Sequence, residues 1–235
     1  MAKSERGPFL GWQGLNLDIN RSELPQYIAV EGPIGVGKTS LTRRIAEAFD
    51  YETMLEAPEV NPFLERFYQN RRQAALQTQL FFLFERVRQL ESMRQADLFN
   101  PGRVADFLLE KDRLFARINL DADERDLYHR IYEHLTIDAP SPDLVVYLQA
   151  PVGVLLERIQ HRGIGYEKGI DRACLAELND AYTELFHYYE ASPLLIVNTT
   201  EIDLAHNDRD FEELVRFMLT VKRGRHYYNP QPSII

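Results

Sequence analysis

GPIGVGKT, Gly32 to Thr39, sets Gly, four free positions, then Gly, Lys and Thr in the order that builds a phosphate cradle. Glycines let the backbone close around an anion, and the N–H groups opening a helix face it without any side-chain acceptor. In such a cradle Lys38 reaches the β and γ phosphates and Thr39 holds Mg²⁺. The contacts then run over Gly32, Pro33, Ile34, Gly35, Val36, Gly37, Lys38, Thr39 and Ser40. A Gly-rich turn that only joins strand to helix is the plainer alternative, but an apolar strand before the motif and an amphipathic helix after it favour ATP or GTP binding. Two acids could work beside it, Glu56 in MLEAPEVNPFL and Asp106 in VAD. One would take a proton from an attacking hydroxyl while the other helps hold Mg²⁺.

The elements that must position these groups are legible as alternation. From Tyr27 onward, YIAVEG, YETMLEA, GRVAD, DLVVYLQA and PLLIVNTT read as short strands separated by helical patterns. The longest helical region runs from about Asn61 to Leu98. The pattern predicts an α/β fold, a five-stranded parallel sheet flanked by helices on both faces. In a parallel sheet the carboxyl ends of the strands open onto the ligand crevice, which puts Glu56 and Asp106 on the cradle's edge. Residues 1–26 read as an N-terminal extension, 27–222 as one domain with a small lid at about 158–170, and 223–235 as a C-terminal tail.

Bulk composition narrows the partners. The 36 acids against 27 Lys and Arg give a net charge of -9, which repels a nucleic-acid polymer but leaves room for a small anion in a local basic pocket. A single cysteine, Cys174, and no apolar run long enough for a membrane span or signal peptide predict a cytoplasmic protein without membrane contact. No NKxD-like guanine-reading segment is present, nor an apolar strand ending in an Asp-Glu pair.

Behind the cradle come LEAPEVNPFLERFY, QTQLFFLFERVRQL, VADFLLEKDRLFA, LERIQHRGIGYEKGI and VNTTEIDL, in that order. This succession resembles the deoxynucleoside kinases, with a likeness to the bacterial deoxyadenosine and deoxyguanosine kinase branch. The resemblance implies a P-loop kinase fold and transfer of the γ-phosphate of ATP, with Mg²⁺, to the 5'-hydroxyl of a deoxynucleoside, preferably a purine. It implies a homodimer as well. Glu56 would be the general base, Asp106 would share Mg²⁺ with Thr39, and Arg158 and Arg162 would be lid arginines over the phosphates. Gln79 would pair with the base, although Gln77 competes for that reading; Arg86 and Asp112 would frame its far edge. Tyr68 and Glu167 would bond the sugar 3'-hydroxyl, with packing as the alternative for Tyr68. Phe82, with Phe81 and Phe84, would divide between core and a wall against the base. Thr200, Glu201 and Ile202 belong to the loop that would wrap the adenine of ATP.

Two positions depart from the pattern. Phe107 and Leu108 follow Asp106 where the family has Arg then Ser, and Ile164 stands where a further lid arginine is expected. Arg103, Lys111 and Arg113 are the nearby cations that could substitute. Without a substitute, slow turnover or a non-catalytic nucleotide-binding subunit on the same fold would follow. A thymidylate-kinase-like nucleotide kinase is a third reading, but it needs basic residues for the acceptor's own phosphate, where Glu56 offers repulsion.

Overall fold

The apolar run YIAVE forms β1 (Tyr27–Glu31), buried along its whole length as a strand covered on both faces must be. The computed structural model describes residues 24–94, 102–136 and 138–230. Five further strands join β1: β2 (Glu52–Met54), β3 (Arg103–Ala105), β4 (Leu144–Gln149), β5 (Leu194–Asn198) and β6 (Arg225–Tyr228). The order is β2-β3-β1-β4-β5-β6, and every pairing is parallel.

Helices α1 (Lys38–Phe49), α2 (Leu64–Gln69), α3 (Arg71–Arg94), α4 (Lys111–Asn119), α5 (Ala122–Thr136), α6 (Val152–Arg162), α7 (Arg172–His187) and α8 (Asp208–Met218) cover the sheet. On one face Leu41 and Ile45 of α1, Leu155 of α6 and Leu214 of α8 pack on Ile28, Val146 and Val197. On the other, α7 stacks Phe186 on Tyr147 of β4 with ring centroids 4.2 Å apart. A third cluster gathers Met54, Leu83, Val87, Phe107 and Tyr128 beneath α3 and α5.

Three expectations change. The sheet has six strands rather than five, because Arg225–Tyr228, read as tail, pairs with β5. RHYY is too short and too exposed to show as a strand in sequence; its position is fixed by the Arg225 guanidinium, which donates to the carbonyls of Phe186 (3.0 Å) and His187 (2.7 Å). The long helical region divides at Asn70, whose extended backbone (φ -149°, ψ 96°) separates α2 from α3; residues 95–98 of that prediction lie outside the described residues. The extension lies outside them as far as residue 23, but Leu24 is already buried in the core, and the N–H groups of Gln26 and Tyr27 share the Asp143 carboxylate at 2.8 and 2.9 Å. Among the described residues, no helix is long and apolar enough to cross a membrane.

Candidate active site

The cradle forms where β1 ends and α1 begins. Gly32, Gly35 and Gly37 all have positive φ (150°, 84° and 105°). A Cβ on Gly32 would stand 2.3 Å from the Leu148 carbonyl oxygen, and one on Gly35 would stand 2.8 Å from Ile159 Cγ1. Both positions therefore need glycine for space as well as for conformation. Lys38 folds back over the loop, its Nζ donating to the carbonyls of Gly32 (2.7 Å) and Pro33 (3.2 Å). Burial lowers its pKa, against the pull of Glu31. Phosphate oxygens would offer that ammonium better acceptors than the carbonyls do.

Strands β2 and β3 deliver their acids to this loop. Thr39 Oγ1 donates to Asp106 Oδ2 at 2.5 Å, and Asp106 Oδ1 accepts from the Glu56 N–H at 2.7 Å. Burial, then the neighbouring Glu56 charge, raises the Asp106 carboxyl. A hydroxyl and a carboxylate facing each other at the cradle's end form a donor set suited to Mg²⁺, a hard cation that takes few protein ligands and completes its shell with phosphate oxygens.

Glu56 is held by two cations. Its Oε1 accepts from Arg86 Nε at 2.6 Å, and its Oε2 accepts from Lys111 Nζ at 2.9 Å. Burial alone would raise this carboxyl, but Arg86 and Lys111 override it and hold it down at about 2. Arg86 also donates to Asp112 and lies over the Phe82 ring at 5.3 Å. Asp112 is wholly buried behind Arg86 and does not line the cavity, so it can reach a ligand only through the guanidinium. Burial raises its carboxyl despite the Arg86 charge.

Two cavities meet at the cradle. The first is lined by Glu56, Tyr68, Gln79, Phe82, Arg86, Asp106 and Glu167, seven of the eight residues expected to bind the acceptor. Gln77 is exposed, whereas Gln79 is buried and faces this cavity. Tyr68 lines it while packing on the core, so the two readings of that residue coexist; Phe82 forms its wall and Phe84 is exposed. The second cavity lies beyond the loop, lined by Val36, Arg158, Thr199, Ile202 and Asp203; of Thr200, Glu201 and Ile202, only Ile202 lines it. Gly35, Gly37, Ser40 and Arg162 border both spaces.

The two arginines of α6 differ. Arg162 makes a two-pronged ion pair with Glu167 (2.7 and 2.6 Å), joining the helix end to the 3-10 turn Gly165–Gly169. Arg158 is tied instead to Thr199, through its hydroxyl (3.0 Å) and carbonyl (2.6 Å). Phe107 is fully buried with Leu83, Val87 and Tyr128. Of the three candidate substitutes, Arg103 pairs with Glu52 at 2.9 Å and Arg113 lies 5.0 Å above the Tyr132 ring; only Lys111 reaches Glu56.

Sequence reasoning missed several cavity residues. Thr78, Phe115, Asn119 and Tyr182 line the first space, and the Asn119 Oδ1 is buried without a hydrogen-bond partner. Tyr182 donates to Glu31 at 3.0 Å. Among 12 tyrosines and 13 phenylalanines no spacing marks these aromatics, but Asn119, facing inward from the last turn of a short amphipathic helix, carried a readable signal.

A parallel sheet, a glycine cradle at its carboxyl edge and a carboxylate lining a cavity beside that cradle define a P-loop kinase. The deoxynucleoside kinase family model matches residues 28–221, and the chain belongs to that family. It is 36% identical over 194 residues to the deoxyguanosine kinase of Bacillus subtilis, covering 80% of this chain and 93% of that one. It is 28% identical over 208 residues to the deoxyadenosine kinase of Lactobacillus acidophilus, covering 81% and 94%. The structure of deoxyadenosine kinase from M. mycoides with bound dATP superposes with a TM-score of 0.69 at 24% identity, covering 83% of this chain and 98% of that one, which shows a shared fold.

Proposed function

We propose that this kinase transfers the γ-phosphate of ATP to the 5'-hydroxyl of a purine deoxynucleoside, deoxyadenosine or deoxyguanosine. The observation that carries the reading is Glu56, whose backbone N–H donates to Asp106, itself bonded to Thr39, and which lines the first cavity. The deoxynucleoside occupies that cavity with its base against Phe82, Gln79 and Arg86 and its sugar near Tyr68 and Glu167. ATP lies across the cradle with its adenine in the second cavity. The 5'-oxygen attacks the γ-phosphorus, its proton passes to Glu56, and the bond to the β-phosphate oxygen breaks to release ADP. Thr39 and Asp106 would hold Mg²⁺, which when bound would neutralise charge on the phosphate oxygens. Lys38 and the lid arginines, Arg162 first, stabilise the charge that develops on the transferred group.

Purine preference rests on the names of the relatives, and the unpartnered Asn119 Oδ1 adds an acceptor for an N–H of the base. We further propose a cytoplasmic homodimer. Its single cysteine is free, and exposed Phe84 and Leu127 give α3 and α5 an apolar face for a second copy.

The test is phosphate transfer from ATP with Mg²⁺ to each of the four deoxynucleosides, read by separating the monophosphate products. Faster turnover of the two purines is expected. Transfer to none, with ATP still bound, would favour a non-catalytic subunit; transfer only to monophosphates would favour a nucleotide kinase. Light scattering across a concentration series tests the dimer, and a constant monomer mass would refute it.

A further inference from the structure

We propose that Lys111 is a positioning residue: its ammonium ties the Glu56 carboxylate to Glu31, and so fixes the general base relative to the phosphate cradle. The inference rests on the kinase reading above. Lys111 Nζ lies 2.9 Å from Glu56 and 3.3 Å from Glu31, and only 3% of its side chain is exposed. Glu31 ends β1 and is bonded to the cradle itself, accepting from the Gly32 N–H at 2.9 Å. The chain Glu56, Lys111, Glu31, Gly32 therefore joins the group that activates the acceptor to the loop that holds the donor.

A purely structural role, neutralising the buried Glu31, explains less. Glu31 is already satisfied by three neutral donors: Gly32 N–H, Leu108 N–H (2.8 Å) and the Tyr182 hydroxyl (3.0 Å). Lys111 is closer to Glu56 than to Glu31, and it lines the acceptor cavity. Arg86, the other cation on Glu56, is shared with Asp112 and points toward α4 rather than the cradle. Phe107, the residue directly after Asp106, faces the core and brings no charge. The Lys111 N–H bonds the Leu108 carbonyl at 3.2 Å, which winds the first turn of α4 so that its lysine returns to the site.

The experiment compares wild type, Lys111→Met and Lys111→Arg. Misplacing a reacting group by about 1 Å costs on the order of 10²-fold, so Lys111→Met should lose roughly that in kcat. Its KM for ATP should stay within threefold, and Lys111→Arg should recover at least a tenth of wild-type kcat. A second readout does not need activity. By ¹³C NMR of labelled glutamate side chains at fixed neutral pH, the Glu56 carboxyl resonance should broaden or split in the resting Lys111→Met protein, as a side chain freed to move, and sharpen again in Lys111→Arg. Should Lys111→Met not fold, Lys111→Ala supplemented with ethylammonium takes its place, with kcat rising as the amine fills the gap. The inference is overturned if kcat stays within threefold of wild type, or if it falls with an unchanged Glu56 carboxyl resonance and no rescue by arginine or amine. A wild type inert toward every deoxynucleoside would refute the kinase reading instead, while the Glu56 carboxyl resonance still decides the role of Lys111.

Discussion

Replacing Glu56 with glutamine keeps the length of the side chain and removes its charge. In the wild type the carboxylate accepts from Arg86 on one oxygen and from Lys111 on the other. Glutamine can satisfy only one of these, because its amide nitrogen is a donor and would face a cation. General-base catalysis contributes typically about 10²- to 10⁴-fold, or about 2.7 to 5.4 kcal/mol of barrier. The structure places Glu56 toward the lower end. A carboxyl held at about 2 has little proton affinity near neutrality, so in the proposed role its work would be largely to orient the hydroxyl and to take up the proton late. The expected result is a fall in kcat of about 10²- to 10³-fold, with KM for ATP within threefold, measured as initial rates on the preferred deoxynucleoside. Glu56→Asp should also lose more than tenfold, because the shortened carboxylate cannot keep both cations and reach the hydroxyl. If Glu56→Gln kept kcat within fivefold of wild type, the reasoning would fail, and the proton would have to leave by another route.

Three further outcomes follow from the geometry. Asp106→Asn should keep an acceptor for the Glu56 N–H but lose the charge beside Thr39, raising the Mg²⁺ concentration for half-maximal rate at least tenfold; an unchanged Mg²⁺ titration would remove Asp106 from the metal site. Phe107→Ala should open a core cavity and cost about 3 to 5 kcal/mol in urea unfolding. The protein that remains folded should turn over within fivefold of wild type, since Phe107 lines neither cavity. Glu56 also makes a pH-dependent contribution to stability. Its folded value of about 2 lies below the ordinary 4.5, so the stabilisation is complete above about pH 4.5 and is lost as pH falls toward 2. By urea titration the stability gap between wild type and Glu56→Gln, on the order of 3 kcal/mol from that difference, should close across this window.

Much of the site was legible because its chemistry is local. A cradle depends on consecutive backbone conformations, so GPIGVGKT announces it, and the strand-end acids Glu56 and Asp106 follow from the direction of a parallel sheet. Gln79 could not be told from Gln77 by type; the turn at Asn70 and the packing of α3 decide which one faces inward. Arg158 was expected at the lid from the family resemblance, and its guanidinium bonds Thr199, a contact across 41 residues that no local pattern shows. The same holds for Lys111, one of three nearby cations that could substitute for the missing arginine, which only the packing of α4 against the strand ends singles out. The sixth strand was hidden for another reason: RHYY takes its conformation from β5 rather than from its own sequence.

That last strand bears on how the chain is assembled. Without residues 225–228, β5 is an open parallel edge, with a row of unpaired backbone groups. The chain up to Arg223 already holds every residue that lines the two cavities. A chain cut near Arg223 would therefore keep the whole candidate site on a sheet able to recruit a foreign strand. Arg225, by fastening to Phe186 and His187, is the latch that ends this exposure. A purification tag that replaces residues 225–228 would keep that edge unlatched.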